Sequence, residues 1–400
     1  MSKWMSIVVG VILLAAWTAF VAFGFGGSGY LLKSAVSGDT NEDFMAYAEE
    51  KSASLAGNLA LGLLEEGKLS EQHYYSIDTP VDPDTFFRMA SITKWVTAWG
   101  VLELVEQGAI DLDAPVGQYL KRWQLPESEF DAQKVTVRRL LTHTAGLNHG
   151  AKFRAATTLE EAGTLEEYLE ETKLSFPPGE AYRYSNNGYA ILQMVIEDVS
   201  GMSFEAFMRG SVLEPLGLTD SMFVWDDDAG LKLATPYDEE GNVVEHFRYA
   251  DQATGTLYTT VGEFSRFLKA HIASNPVLDA ATIEAMSENQ VAGSFQSIGL
   301  GPKIYGQSPS GDTIIGHGGL ERWTVESQVL LNLGTGDGII AFSNGTLSFA
   351  HELGEEWLFW KYGIVGGAIQ NRNKSRVLTL LVVGYVLIGG LLWFTRKKRP

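Results

Sequence analysis

The chain is 400 residues long and 45% hydrophobic, with 10 Trp and 20 Phe, so it can bury a sizeable core and intrinsic disorder is excluded. Asp and Glu number 49 against 30 Lys and Arg, a formal charge of -19, and so acidic a surface repels a phosphate backbone, which argues against a nucleic-acid partner. Cysteine is absent, which removes disulfides, thiol catalysis and thiolate metal sites and leaves the compartment open.

Residues 5–25 carry no charge, and at about 1.5 Å rise per residue this run can cross a hydrocarbon core of about 30 Å. It reads as an uncleaved signal anchor; the alternative is a cleavable signal peptide, for which Ala19-Phe20-Val21-Ala22 offers a small-residue site. Residues 41–52 read as a short acidic helix, followed by strands over 55–64 and 72–77 turned near Glu65-Glu66-Gly67. A helix opens at Ser91, with Trp95, Val96, Trp99, Val101, Leu102 and Leu104 as its apolar stripe and Gly108 as its stop. From Asp113 to about Ala273 the pattern is mainly helices and long loops, with Pro177-Pro178-Gly179 a turn ahead of Tyr184.

Late in the chain, strand patterns over 326–333 and 338–342 flank the hairpin signal Gly334-Thr335-Gly336-Asp337, and 349–360 reads as a helix. A second charge-free run, 377–394, closes with Trp393-Phe394 and the basic cluster Arg396, Lys397, Lys398 and Arg399, as expected of a membrane span with its aromatic belt and cytoplasmic flank. Strand signals thus gather at both ends of the central part. The expected architecture is α/β (α+β): an antiparallel sheet built from both chain ends, flanking helices, a mainly helical insertion, and terminal transmembrane helices. The expected division is 1–32 as anchor, 33–375 as one globular unit, and 376–400 as the second span and tail. With both basic ends inside, the globular unit faces the periplasm or cell exterior of a plasma (inner) membrane, the bilayer itself being a partner.

Three short motifs carry chemistry. A serine hydroxyl needs a base within reach, and residues three apart share a helix face, so Ser91-Ile92-Thr93-Lys94 pairs a nucleophile with an amine that burial can render neutral. Singly it is weak, since about one such tetrapeptide is expected by chance in a chain of this length. Tyr184-Ser185-Asn186 adds a phenol able to relay a proton, or to act as a base when ionised, and an amide able to bond lysine and substrate. His317-Gly318-Gly319, preceded by Ile314-Ile315, places glycines on a sheet edge where substrate can approach the backbone.

Taken together and in this order, Ser-x-x-Lys, Tyr-x-Asn and His-x-Gly resemble the three motifs of the superfamily that holds class C β-lactamases, D,D-carboxypeptidases, D-aminopeptidases and related esterases. The similarity extends to residues 87–94, 140–147, 184–189 and 215–218, and covers about 54–345. The resemblance implies a β-lactamase/transpeptidase-like fold and acylation of Ser91 by an amide or ester carbonyl, followed by hydrolysis. It implies that Lys94 takes the Ser91 proton, that Tyr184 passes it to the leaving group, and that Asn186 orients Lys94 and substrate. By family position the backbone N–H groups of Ser91 and Leu320 form the oxyanion hole, beside His317, Gly318 and Gly319.

Where a typical β-lactamase has Lys-Thr-Gly, this chain has His317-Gly318-Gly319, losing a permanent cation and a hydroxyl, which argues against efficient β-lactamase activity. Trp323 either narrows the cleft or sits in the core. His143, inside Leu-Leu-Thr-His-Thr, is expected to fix a loop, and His73, His149, His246, His271 and His351 lack ligand spacing, so no metal or other cofactor is expected. The expected function is a membrane-bound serine hydrolase acting on an amide or ester bond of a small peptide-like or ester substrate. The alternatives are β-lactamase or D,D-carboxypeptidase activity, or a slowly acylated penicillin-binding sensor or scaffold.

Overall fold

A computed structural model describes residues 3–27, 29–150, 156–291, 293, 296–321 and 325–397; Trp323, Lys398 and Arg399 lie outside the described residues. The chain forms two compact units, Ala48–Gly354 and Met1–Tyr47 together with Glu355–Pro400.

In the larger unit the strands are β1 (Asn58–Glu65), β2 (Lys68–Ser76), β3 (Thr85–Arg88), β4 (Lys232–Leu233), β5 (Tyr258–Thr259), β6 (Ser297–Ile298), β7 (Lys303–Gln307), β8 (Thr313–Glu321), β9 (Val325–Asn332) and β10 (Gly338–Ser343). Seven of them form one sheet in the order β2-β1-β10-β9-β8-β7-β6, every pairing antiparallel. The sheet is therefore built from both chain ends, as the strand signals predict. β1 is buried along almost its whole length whereas β2 alternates, which is why the apolar run Leu59 to Leu64 sits inside the sheet and the polar-alternating β2 lies at its edge.

Several details differ from the sequence reading: β1 begins at Asn58 rather than residue 55, and the α-helix expected to open at Ser91 begins at Thr93. β2 begins four residues earlier than predicted, because Glu66 and Gly67, at φ 50° and 72°, turn the chain in two residues and pair Glu65 with Lys68 at once. The central stretch also contributes β4 and β5, which flank β3 in a small second sheet; strands of two residues are too short to show periodicity.

The helix Thr93–Glu106 lies in the core, preceded by a 3-10 turn over Ala90–Ile92. Trp95 and Trp99 are fully buried, packing on Phe267 at 5.5 and 5.2 Å between ring centres. The Trp99 Nε1–H is satisfied by His271 Nε2 at 3.1 Å. Truncating a buried aromatic of this size removes about 3–5 kcal/mol, so these rings hold the helix that presents Ser91. Behind the site, the helix Asn186–Ser200 is capped by Ser185, whose hydroxyl accepts the Gly188 N–H, and stops at Gly201 in the left-handed region.

In the smaller unit, Trp4–Gly26 and Gly367–Thr395 are each long and apolar enough to cross a membrane. The two helices touch through the Trp17 Nε1–H donated to Leu381 O at 3.2 Å and the Thr18 and Tyr385 hydroxyls at 2.6 Å, while Val11, Ile12, Val386, Leu387 and Phe394 are exposed. Buried Glu356 accepts hydrogen bonds from Ser34 Oγ, Ala35 N and Arg372, and Asn373 brackets both backbone groups of Lys33 at 3.0 and 3.1 Å.

Candidate active site

Ser91 occupies the 3-10 turn at the N-terminal end of the helix Thr93–Glu106. Ala90, directly before it, sits at φ 46°, a conformation that disfavours any side chain and is held only because its surroundings dictate it. Lys94 is one turn on, and its Nζ donates to Ser91 Oγ at 3.2 Å and to the Thr254 carbonyl at 2.6 Å. Its side chain is fully buried, and burial pushes its pKa down to about 7, with nearby Asp251 raising it and Lys303 lowering it further. An amine so placed is substantially neutral near pH 7 and able to accept a proton, which an ordinary lysine is not.

Tyr184 stacks beside this pair, its ring 5.0 Å from Lys94 Nζ. Its hydroxyl is buried without a well-formed hydrogen bond. Burial raises the phenol pKa, and proximity to the Ser91 hydroxyl acts the other way, so Tyr184 is a neutral phenol suited to relaying a proton rather than a phenolate base. His143 grips both neighbours of Tyr184: its carbonyl accepts from Arg183 N at 2.8 Å and its Nδ1 from Ser185 N at 3.2 Å. The imidazole lies 4.2 Å from the Tyr184 ring, and burial, then Lys94 and Lys303, hold its pKa well below the usual range. This neutral, loop-fixing histidine shows no sequence signal beyond its motif.

Asn186 opens the helix behind the site and lines the Ser91 cleft with Tyr249, Thr254, Leu320 and Glu321. The hydrogen bond expected from it to Lys94 is not formed: Asn186 Oδ1 is buried without a partner, and the Thr254 carbonyl accepts the hydrogen bond from Lys94 Nζ instead. The reason is local packing. Thr93 Oγ1 accepts from Leu257 N and Thr97 Oγ1 donates to Ala253 O, which draws the segment carrying Thr254 onto the helix.

β7 pairs with only the first half of β8, through Gly316, so from His317 onward β8 has β9 on one side and an open edge on the other. His317 is buried, its Nδ1–H donates to the Gly318 carbonyl at 2.7 Å, and burial followed by Lys303 and Lys94 keeps it neutral. Gly319 runs so close to the nucleophile turn that a Cβ there would fall inside contact distance of Met89 O and Ser327 Oγ, and Ser327 Oγ itself donates to Met89 O at 2.8 Å. Gly319→Ala is therefore expected to push β8 off the turn, lowering stability by about 1–3 kcal/mol and slowing acylation. Thermal unfolding and labelling rates matching the unmodified protein would show that the close approach is unnecessary. Leu320 is about half exposed on the cleft wall.

Six contributors to the site carry no signal that the motifs supply. Arg88 and Glu321 form a buried ion pair at 2.5 Å, and the Tyr249 hydroxyl donates to the same carboxylate oxygen at 2.6 Å, bracing one wall of the cleft. Lys303, from β7, reaches to 5.9 Å from the Tyr184 ring and borders a groove of about 470 Å³ with Tyr305 and Gln296. Asp251 and Thr254 lie beside Lys94. Apart from Arg88, which lies three positions before Ser91 in the segment 87–94, each is brought in by an element distant in sequence.

The profile of the Beta-lactamase family matches residues 51–358. Esterase EstB of Burkholderia gladioli is 33% identical over 171 residues, 40% of this chain and 43% of that protein. The D-alanyl-D-alanine-carboxypeptidase/endopeptidase AmpH of Escherichia coli is 25% identical over 48% of this chain and 50% of its own length. The chain thus spans about half the length of these two relatives. Among solved structures, the octameric penicillin-binding protein homologue from Pyrococcus abyssi superposes with a TM-score of 0.68 at 24% identity, covering 80% of this chain and 76% of that one. The D-alanine carboxypeptidase AmpC from Burkholderia cenocepacia gives 0.65 at 21% identity, over 80% and 99%; both show the same fold.

Proposed function

The chain belongs to the Beta-lactamase family of serine hydrolases, and from that premise we propose that it is a membrane-bound hydrolase cleaving an amide or ester bond of a small peptide-like or ester substrate through an acyl-enzyme on Ser91. The observation that carries this reading is the buried Lys94 amine, with its pKa near 7, in contact with Ser91 Oγ.

In the reaction, Lys94 takes the Ser91 proton as Oγ bonds the substrate carbonyl carbon. Tyr184 passes a proton to the leaving nitrogen or oxygen, and water then releases the acyl group by the reverse path. The backbone N–H groups of Ser91 and Leu320 face the developing oxyanion, and the helix N-terminus behind Ser91 favours that negative charge. Asn186, with its buried unpartnered oxygen on the cleft wall, binds the substrate's amide, and His317, Gly318 and Gly319 line the open strand edge. His317 is neutral, so it does not replace the cation of a β-lactamase. Lys303 places positive charge one strand away, beside the broad groove, and favours substrates bearing a carboxylate on that side over neutral esters.

The proposed hydrolase portion, 33–375, between the anchor 1–32 and the second span and tail 376–400, contains the whole larger unit Ala48–Gly354, while its ends, 33–47 and 355–375, belong to the smaller unit. The exposed apolar faces of the two terminal helices and the basic end Arg396 to Arg399 support a bilayer-spanning pair with the hydrolase on the periplasmic or extracellular face.

A single preparation tests both parts. Carbonate-washed membranes from cells expressing the full chain are expected to hydrolyse p-nitrophenyl esters and D-alanyl peptides, with nitrocefin turned over poorly and carboxylate-bearing substrates preferred. Stoichiometric acylation of Ser91 with no product release would replace the hydrolase reading by a sensor, and activity found only in the wash would overturn the membrane reading.

A further inference from the structure

The segment 250–257 is anchored from two sides. From the nucleophile helix, Thr93 Oγ1 accepts from Leu257 N at 3.1 Å and Thr97 Oγ1 donates to Ala253 O at 3.0 Å. From the helix Asn186–Ser200, Gln193 accepts from Ala253 N at 3.1 Å and donates to Ala250 O at 3.3 Å. Its one charged side chain, Asp251, is 1% exposed, a placement that is destabilising unless the charge has a use or a partner. Thr254 is the link: its carbonyl accepts from Lys94 Nζ at 2.6 Å while its hydroxyl donates to Asp251 Oδ2 at 2.5 Å.

We infer that Asp251 is a positioning residue for the base: through Thr254 it holds Lys94 against Ser91 and, as a carboxylate, balances the ammonium that forms when Lys94 takes the Ser91 proton. The step is balanced within the site. The Ser91 O–H bond breaks, Oγ forms the bond to the substrate carbonyl carbon, the proton moves to the Lys94 lone pair, and Asp251 keeps its charge throughout. A buried ammonium with no counter-charge would be strongly disfavoured. The other groups around Lys94 do not supply one: Lys303 from β7 is a cation, His143 and His317 are neutral, His149 is lowered by burial and by Lys94, and Tyr184 and Tyr189 are phenols raised by burial. Facing Asp251 are the Thr254 hydroxyl and the Tyr168 phenol, from the helix Leu165–Leu169, both of which favour its charged form.

Burial pushes Asp251 up to about 6, against the hydrogen bond from Thr254 and the charge of Lys94, and pushes Lys94 down to about 7, against the charge of Asp251. Near neutral pH the pair is therefore poised with the amine substantially neutral and the carboxylate charged, as the step requires. Removing the negative charge leaves only influences that depress Lys94, so the amine stays neutral to lower pH but stabilises the transferred proton less.

This inference rests on the acyl-enzyme reading, and its test uses a probe independent of the natural substrate. The rate of Ser91 labelling by a fluorophosphonate is followed from pH 5 to 9 in the detergent-solubilised full chain, with circular dichroism to confirm folding. In Asp251→Asn the acid limb is expected to move down by about one pH unit and the plateau to fall about 10- to 100-fold, whereas Asp251→Glu should keep the limb in place. Thr254→Val, which retains the backbone carbonyl and cuts the hydroxyl link, is expected to lower the plateau several-fold. An unmoved limb in a folded Asp251→Asn protein, or an unmodified profile in Thr254→Val should the former not fold, would overturn the role of Asp251 alone. Failure of the unmodified chain to label at any pH would overturn the acyl-enzyme reading with it.

Discussion

Ser91→Ala is expected to abolish covalent labelling by fluorophosphonate or penicillin probes and to lower hydrolysis by at least about 10⁴-fold, leaving only what binding and the oxyanion donors provide. The size of the effect follows from the geometry. Ser91 Oγ is the atom that Lys94 Nζ touches, it sits on a turn whose preceding residue, Ala90, is held at a positive φ by its surroundings, and it opens into the cleft lined by Asn186, Thr254 and Leu320. Deleting one oxygen from a half-buried turn should leave thermal stability nearly unchanged, so lost activity cannot be ascribed to unfolding. Intact-protein mass spectrometry after labelling decides the matter: equal mass gains in the two proteins would remove Ser91 from the mechanism.

Lys94→Gln should be nearly as damaging, with kcat/KM down about 10²–10⁴-fold, KM little changed, and labelling slowed in parallel. The unmodified protein should show the signature of this base in its pH profile. Lys94 works only when neutral; with its pKa pushed by burial down to about 7, activity rises with pH through about 7 and falls away below it. A lysine at its ordinary value would place that rise above pH 10. A rate constant flat from pH 5 to 9, or near-normal labelling of Lys94→Gln, would show that another group takes the Ser91 proton.

Part of the candidate site's geometry is legible in the sequence. Ser91 and Lys94 lie three positions apart, a spacing helical geometry converts directly into contact, and Tyr184, with Asn186 two positions on, lies in a segment whose turn residues are explicit. The glycines at 318 and 319 are expected from sequence to admit substrate to a strand edge, whereas the structure sets the chain's own Met89 O and Ser327 Oγ against Gly319 and His351 and Gln328 against Gly318. What stayed hidden shares one cause. Thr254 in place of Asn186 as the lysine's acceptor, Lys303 as an added cation beside Tyr184, Glu321 braced by Arg88, and buried Asp251 all depend on which distant segment is packed against which.

The division is physical. Sequence by itself determines quantities that are local or summed: the acidic charge, the two apolar runs, the strand alternation at the chain ends that makes the sheet, and the reactive residue types at helical spacing. Only the tertiary structure decides how far Lys94 is stripped of water, because desolvation depends on every surrounding element at once, and that is what turns an ordinary ammonium into an amine with a pKa near 7.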